Sequence, residues 1–205
     1  MTDAGSFVLT SATAHEASGR IGALPSTVKP LHSDMYLNAP AFPVHSPAGD
    51  NLWLHRAVYA AEPGSVLVVD VGDGVEYGYW GEILAEAALA RGLYGLVING
   101  GVRDSRQLIS LGWPIFSAGV CIRGTGKNPE GAGTLSAPVV IGDVTVARGD
   151  LVIGDADGVV CIPEAQADEV LRRSRQREDD EADYITRLRN GESTLSIYDL
   201  PARPA

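Results

Sequence analysis

Val66-Leu67-Val68-Val69-Asp70 and Gly95-Leu96-Val97-Ile98-Asn99 are two unbroken apolar runs, each ending in a polar residue. A strand with one wet face alternates polar and apolar side chains, so a run without alternation marks a strand covered on both faces. Between the two runs, Gly72-Asp73-Gly74 reads as a loop. Residues 82–91 read as a helix rich in Ala and Leu, with Gly92 as its stop signal. Strand, loop, helix and strand in this order predict a parallel pair joined by a right-handed crossover.

The rest of the chain is organised around that unit. A loose lead-in is expected over 1–10, then a helix around Ala14-His15-Glu16-Ala17 ended by Gly22. The Pro-rich stretch 26–47 predicts only short extended pieces such as Met35-Tyr36-Leu37. Ala48-Gly49-Asp50-Asn51 reads as a turn or cap before a helix over 52–61, which Pro63-Gly64 stops. A short helix over 103–111 and a strand at Pro114-Ile115-Phe116 follow. From 138 onward, four short strands (138–141, 144–146, 151–154 and 159–162) with Gly-Asp and Asp-Gly turns predict a β-meander. A long helix over about 164–190 closes the chain, with frayed residues at 201–205. No internal repeat is visible, and the 205 residues read as one α/β domain over 1–205.

Composition removes several function classes. Acidic residues outnumber basic ones by 26 to 16, so a nucleic-acid footprint is not expected. The one basic cluster, Arg172, Arg173, Arg175 and Arg177, runs into Glu178, Asp179, Asp180 and Glu181, which predicts a solvated helix face with internal ion pairs. Cys121 and Cys161 sit in apolar runs without metal-ligand spacing and read as buried free thiols of a cytoplasmic protein. No signal peptide is visible, and no apolar run approaches the roughly 20 residues of a membrane span.

The chemistry-bearing residues are few. Gly72-Asp73-Gly74-Val75-Glu76-Tyr77-Gly78 fails the dinucleotide pattern, because the third glycine of G-x-G-x-x-G falls on Tyr77 and the next strand ends in Asn99 rather than an acid. That loop is either a tight packing turn or a cavity wall. The four histidines (His15, His32, His45 and His55) show no ligand spacing and read as structural or surface. Gly81-Glu82-Ile83-Leu84 opens a helix, whose first N–H groups lack internal partners and can hold a carboxylate. Glu82 could equally just complement the dipole of its own helix. Gly100-Gly101-Val102-Arg103-Asp104 ends the second buried strand. The arginine can grip a carboxylate or enolate in a bidentate manner, and the aspartate is a hard ligand suited to Mg²⁺ or Mn²⁺. Asp104 could also be an ordinary helix cap beside a surface arginine. Lys127, in Thr125-Gly126-Lys127-Asn128, could sense an anion or be a plain loop lysine.

Taken together, these segments resemble a known family. Trp80-Gly-Glu-Ile-Leu84, Ala90-Arg-Gly-Leu93, Val97-Ile-Asn-Gly-Gly-Val-Arg-Asp104, Gly124-Thr-Gly-Lys127, Gly149-Asp-Leu-Val152 and Asp157-Gly-Val-Val-Cys-Ile-Pro163 occur in order. Across about 12–195 the chain is similar to the RraA-like family. That family holds the regulator of ribonuclease activity A and the class II 4-hydroxy-4-methyl-2-oxoglutarate / 4-carboxy-4-hydroxy-2-oxoadipate aldolases. His15-Glu16-Ala17 and Gly49-Asp-Asn-Leu52 lie closer to the aldolase side.

The resemblance implies a swivelling β/β/α-type domain, homotrimers or homohexamers with active sites at subunit interfaces, and no membrane or nucleic-acid partner. It implies a metal-dependent lyase releasing pyruvate from 4-hydroxy-2-oxo acids, with oxaloacetate decarboxylation as a further activity. The backbone of Gly81, Glu82, Ile83 and Leu84 and the Arg103 side chain would hold the oxo acid. Asp104 would anchor Mg²⁺ or Mn²⁺ through water, and Arg103, Asp104 and Glu82 would carry catalysis. Glu82 stands where aldolase members typically have Asp, Asn99 where many have Asp, and Gln107 where some have an acid. An acidic residue from a neighbouring subunit is also implied, with Glu178 and Glu181 as candidates. A non-catalytic regulator, or the same scaffold acting on another oxo acid, are the competing readings.

Overall fold

The computed structural model describes residues 8–201. The unit expected around the two apolar runs is present. Strand β3 (Val66–Asp70) lies parallel to β5 (Gly95–Val102), with helix α3 (Glu82–Ala90) in the crossover. Val66 to Val69 and Leu96 to Ile98 are all fully buried. Each such side chain contributes about 1.5–3 kcal/mol by leaving water, which holds this sheet centre in place. Strand β6 (Ile115–Val120) continues the parallel sheet beside β5.

A short strand, β4 (Gly78–Trp80), precedes α3 and pairs with β5 at Gly101 and Val102, beyond the last β3 partner. It was not legible as a strand, because two of its three residues are aromatic and it follows a glycine-rich loop. Trp80 is fully buried and stacks on Trp113, with ring centroids 5.6 Å apart. That stack pins the residue just before the N-cap of α3.

The Pro-rich stretch departs from expectation. It holds β2 (Leu37–His45), a nine-residue strand inside the sheet, although it carries Pro40 and Pro43. On one edge β10 (Leu151–Asp155) pairs antiparallel with 37–40 and β7 (Thr134–Leu135) with Val44 and His45, while β3 pairs parallel with 41–45 on the other edge. The proline rings thus fall in a strand whose ladder is broken into two segments, where missing N–H donors are tolerated.

The full sheet order is β1-β6-β5-β3-β2-β10-β11, with β4 beside β5 and β7 (Thr134–Leu135) beside β2. Its two edges nearly meet. The segment before β1 (Lys29–Pro30) bonds to β11 (Gly158–Ile162) through Leu24 N–H to Val159 O and Cys161 N–H to Gly22 O. Strand β1 itself then pairs with β6. The four strands expected after 138 all form, as two hairpins: β8 (Val139–Ile141) with β9 (Val144–Val146) in a small separate sheet, and β10 with β11 in the main one. In β10 and β11 the side chains alternate. Val152, Val159 and Cys161 enter the main core, while Ile153, Val160 and Ile162 enter a second cluster under α1 (Ser11–Ala17) and α5 (Ala167–Arg189).

The helices follow local signals. Thr10 caps α1 by accepting the Thr13 N–H, and α1 ends at Ala17 rather than reaching Gly22. The lead-in expected to be loose through residue 10 is ordered at its end. Leu9 is buried in the second cluster, and its carbonyl accepts from the Tyr36 hydroxyl. Residues 1–7 and 202–205 lie outside the described part of the chain. Helices α2 (Leu52–Ala60) and α4 (Ser105–Leu111) match their expected segments to within two residues. Helix α5 carries the expected ion pairs, Glu169 to Arg172 and Arg173, and Arg177 to Glu181. The two arginines hold the Glu169 carboxyl down to about 2. A short α6 (Thr194–Ile197) follows α5. Cys161 is fully buried, which pushes its thiol up to about 12, whereas Cys121 is only half-buried. Among the described residues no helix is long and apolar enough to cross a membrane.

Gly22 is the point where the sheet closes on itself. Its φ is +80°, and a Cβ there would collide with the Cys161 carbonyl. Gly22→Ala should cost about 3 kcal/mol from combined backbone strain and overpacking, lowering Tm by roughly 6–12 °C. Gly64→Ala, at φ +85° with nothing within 4 Å, should cost only about 1–2 kcal/mol. Thermal unfolding of both variants checks the difference.

Candidate active site

The carboxyl ends of β4 and β5 deliver the start of α3 and the Arg103-Asp104 pair to the same place. Arg103 N–H donates to Trp80 O at 2.8 Å, and Glu82 N–H donates to Asp104 Oδ2 at 3.1 Å. Gly81 is required at this junction, since a Cβ would collide with the Asp104 carboxylate. Asp104 occupies the left-handed region (φ +58°), an unusual conformation for a non-glycine residue. It precedes α4 but forms no side-chain cap there, since its Oδ2 is spent on the start of α3 instead.

These residues face a cleft of about 190 Å³ lined by Asn51, His55, Tyr79, Gly81, Ile83, Leu84, Arg103, Asp104 and Lys127. Of the expected site, Gly81, Ile83, Leu84, Arg103 and Asp104 come together. The Glu82 side chain is not on the cleft wall, and its amide is committed to Asp104. The amides of Ile83 and Leu84 precede the first intrahelical bond of α3, Ala85 N–H to Gly81 O, and are the helix-start donors left over. Gln107 is exposed on α4 and does not line the cleft; Glu178 and Glu181 lie on α5, away from it.

Asn51 and His55 were not expected on the cleft, and Lys127, read as either an anion sensor or a plain loop lysine, joins them there. A turn and a loop are zipped together by Gly126 N–H to Gly49 O, Asn51 N–H to Gly126 O, and Asn128 N–H to the Asp50 carboxylate. This places Asn51, His55 and Lys127 on one wall. The available signal was spacing: Asn51 and His55 are four apart at the start of α2, hence on one helix face. Tyr79 locks the turn from behind. Its hydroxyl accepts from Gly49 N–H and donates to Gly74 O, while its carbonyl accepts from Asn51 Nδ2 at 2.8 Å. Gly74 packs directly on that hydroxyl, so the Gly72–Gly78 segment is a close-packing turn at Gly74, while its Val75 and Glu76 line a separate, larger cleft.

The site is cationic within an acidic chain. Neither Arg103 nor Lys127 forms an ion pair with another described residue. Burial, and then the Lys127 charge, hold His55 below the usual imidazole range. A larger cleft of about 480 Å³ at Val28, Val120 and Cys121 is mainly apolar and lacks converging cations. Asn99 does not reach the Arg103 cleft: its Oδ1 accepts from Val71 N–H and its Nδ2 donates to Asp70 Oδ1, riveting β3 to β5. His45 Nδ1–H donates to the other Asp70 oxygen, Oδ2, at 2.9 Å.

A nearly closed mixed sheet with a small cleft at its parallel strand ends, lined by Arg103, Lys127 and Asp104, defines an α/β protein. The family model described as RraA-like, Aldolase/RraA, matches residues 3–161, and the chain belongs to that family. A Halalkalibacterium halodurans protein named "Putative 4-hydroxy-4-methyl-2-oxoglutarate aldolase" is 38% identical over 160 residues, covering 78% of this chain and 75% of the relative. An uncharacterized protein from Pseudomonas syringae pv. tomato superposes with a TM-score of 0.81 at 27% identity, covering 93% of this chain and 89% of that one. RraAS2 from Streptomyces coelicolor, described as an unusual member of the RNase ES inhibitor RraA family, gives a TM-score of 0.72 at 26% identity, covering 88% and 93%.

Because the Lys127 charge helps hold His55 down, Lys127→Gln should raise the His55 pKa, read by NMR titration of the imidazole. With its folded pKa below the unfolded 6.5, the neutral His55 contributes fully above pH 6.5, and that contribution is lost as pH falls through the folded value. The variant should lose less stability on acidification than the parent.

Proposed function

We propose that this protein is a lyase that cleaves 4-hydroxy-2-oxo acids to release pyruvate, working with Mg²⁺ or Mn²⁺. The observation that carries the reading is the convergence of an unpaired Arg103, the spare α3 amides and Asp104 on one small cleft. Its volume suits a ligand of about ten heavy atoms and not a nucleotide-sized one. The Halalkalibacterium relative supports the aldolase side of the family.

Asp104 fits the role of metal anchor. Among the described residues no group of three His, Cys, Asp or Glu converges, so a closed protein cage is not the design. Mg²⁺ keeps several waters and needs only one or two carboxylates. Asp104 is the acid on the cleft wall, with one oxygen bonded to Glu82 N–H and the other unspent. When bound, the cation supplies Lewis-acid polarisation of the 2-oxo group.

The chain's own residues do the rest. The Ile83 and Leu84 amides receive the substrate carboxylate at the positive end of α3. The Arg103 guanidinium bonds the 2-oxo oxygen and holds the negative charge that develops there. The 4-hydroxyl proton leaves to a water oriented by Asp104, the C4–O bond becomes a carbonyl, and the C3–C4 bond breaks with its electron pair passing to the pyruvate enolate. Protonation at C3 then yields pyruvate. With a neighbouring carboxylate in place of the 4-hydroxyl carbon, the same enolate forms by loss of CO₂ from oxaloacetate.

Assembly into trimers or hexamers belongs to the same proposal. Past Ser174, α5 and α6 bury no described side chain, yet carry Ile185, Leu188, Leu195 and Tyr198 at 38–51% exposure. A second copy is the natural cover for such a surface. The Streptomyces relative favours a second reading, a non-catalytic protein of the ribonuclease-regulator type.

Purified protein with Mn²⁺ should release pyruvate from 4-hydroxy-4-methyl-2-oxoglutarate or oxaloacetate, followed by a coupled dehydrogenase assay. Arg103→Ala should lower kcat/KM by about 10²- to 10³-fold without changing the mass in sedimentation. Absence of pyruvate release and of metal uptake, with capture of a ribonuclease, would replace this reading by the regulator.

A further inference from the structure

Asn51 is 3% exposed and lies on the cleft wall. Its Nδ2 donates to the Tyr79 carbonyl at 2.8 Å. A carbonyl can only accept, so this bond decides which end of the amide is nitrogen. The other end, Oδ1, is buried and accepts no hydrogen bond from any described residue. Buried side-chain oxygens are nearly always paired, and an unpaired one in a ligand-sized cleft points to a partner that arrives with the ligand.

The remaining cleft groups say which part of the ligand that is. Arg103, Lys127 and the Ile83 and Leu84 amides are all donors. They suit the carboxylate and oxo oxygens of an oxo acid, which only accept. Asp104 is an acceptor, but one of its oxygens is spent on Glu82 N–H. A neutral His55 keeps one acceptor nitrogen, but Asn51 Oδ1 is the neutral acceptor on this wall that is buried and without a partner, and so the one most in need of a donor on the ligand. A hydroxyl is the donor such acids carry. Oδ1 is covered, so a ligand reaches it as neighbouring side chains swing aside. Arg103 and Lys127 line the same cleft, are exposed and form no ion pair with another described residue, so they are free to move as a ligand enters.

We propose that Asn51 is the specificity-determining residue that accepts a hydrogen bond from the substrate hydroxyl on binding, before that proton turns to the Asp104-oriented water for cleavage, so that the cleft selects hydroxylated oxo acids over their deoxy analogues. This rests on the oxo-acid reading of the site given above. Tyr79 acts through Asn51 as a positioning residue, holding the amide by its carbonyl and the preceding turn by its hydroxyl. The selection is thus built into the joint between β4 and the start of α2.

The test uses full-length protein with Mg²⁺ and three ligands. Oxalate, which carries no hydroxyl donor when ionised, reports on the oxo-acid half of the cleft by calorimetry. 4-Hydroxy-2-oxoglutarate is the substrate, and 2-oxoglutarate is the deoxy competitor. In the parent protein the KM for the hydroxylated acid should lie at least about tenfold below the Ki for 2-oxoglutarate, the factor one well-placed hydrogen bond provides. Asn51→Ala should lower kcat/KM for the hydroxylated acid by about 10- to 100-fold. The Ki for 2-oxoglutarate and the oxalate Kd should stay within about twofold, which a merely structural role for Asn51 would not allow. Equal losses on all three ligands, or no loss on the hydroxylated acid, overturn the proposal. Should the variant fail to fold, a parent Ki for 2-oxoglutarate at or below that KM overturns it without any substitution. Failure of oxalate to bind the parent protein overturns the oxo-acid reading itself, and this proposal with it.

Discussion

Everything in this structure hangs on the parallel register of β3, β5 and β6, buried on both faces over β3, β5 and the first half of β6. Parallel strands need a crossover, and the crossover puts α3 against the sheet with its start at the strands' carboxyl ends. The same register places Arg103 and Asp104 beside that start. One hydrogen bond, from Glu82 N–H to Asp104 Oδ2, then couples two consecutive crossovers. The glycine at 81 is the steric condition for it. A carboxylate thus neutralises part of the helix end while two amides and a guanidinium beside it remain unspent.

A second layer of construction makes the site polar without making it unstable. Tyr79 is nearly fully buried, yet both ends of its residue are used: the hydroxyl by Gly49 and Gly74, the carbonyl by Asn51. Burial pushes its phenol up, which keeps the hydroxyl a donor. The Asp70 carboxylate is met by Asn99, Gly72 N–H and His45, so the strand ends next to the cleft are tied by paired polar groups. An acid in place of Asn99 would set two carboxylates face to face at this point, which accounts for the amide here without reference to catalysis.

The legible part of the fold was the part controlled by local physics. Unbroken apolar runs gave away β3 and β5, an Ala-Leu helix with a glycine stop gave α3, and Gly-Asp turns marked the late hairpins. What escaped was decided by distant partners. Strand β2 was hidden because its prolines argue against a ladder until β3 and β10 are seen to share its length. Strand β4 was hidden because its pairing exists only where β3 has ended. Leu9 was read as loose because nothing local reveals that α1, α5 and β11 close over it.

The site divides in the same way. The sequence by itself determined that Gly81–Leu84 begins a helix and that Arg103-Asp104 ends a buried strand, since caps and apolar periodicity are properties of neighbouring residues. It also marked the family through motifs kept in order along the chain. Only the tertiary structure decided that Asn51, His55 and Lys127 share that cleft, that Glu82 offers its amide rather than its side chain, and that Asn51 keeps one acceptor unspent. Those facts depend on a turn and a loop some 75 residues apart being zipped together. No local preference encodes that contact: long-range hydrogen bonds are settled only when the sheet has brought their ends within reach.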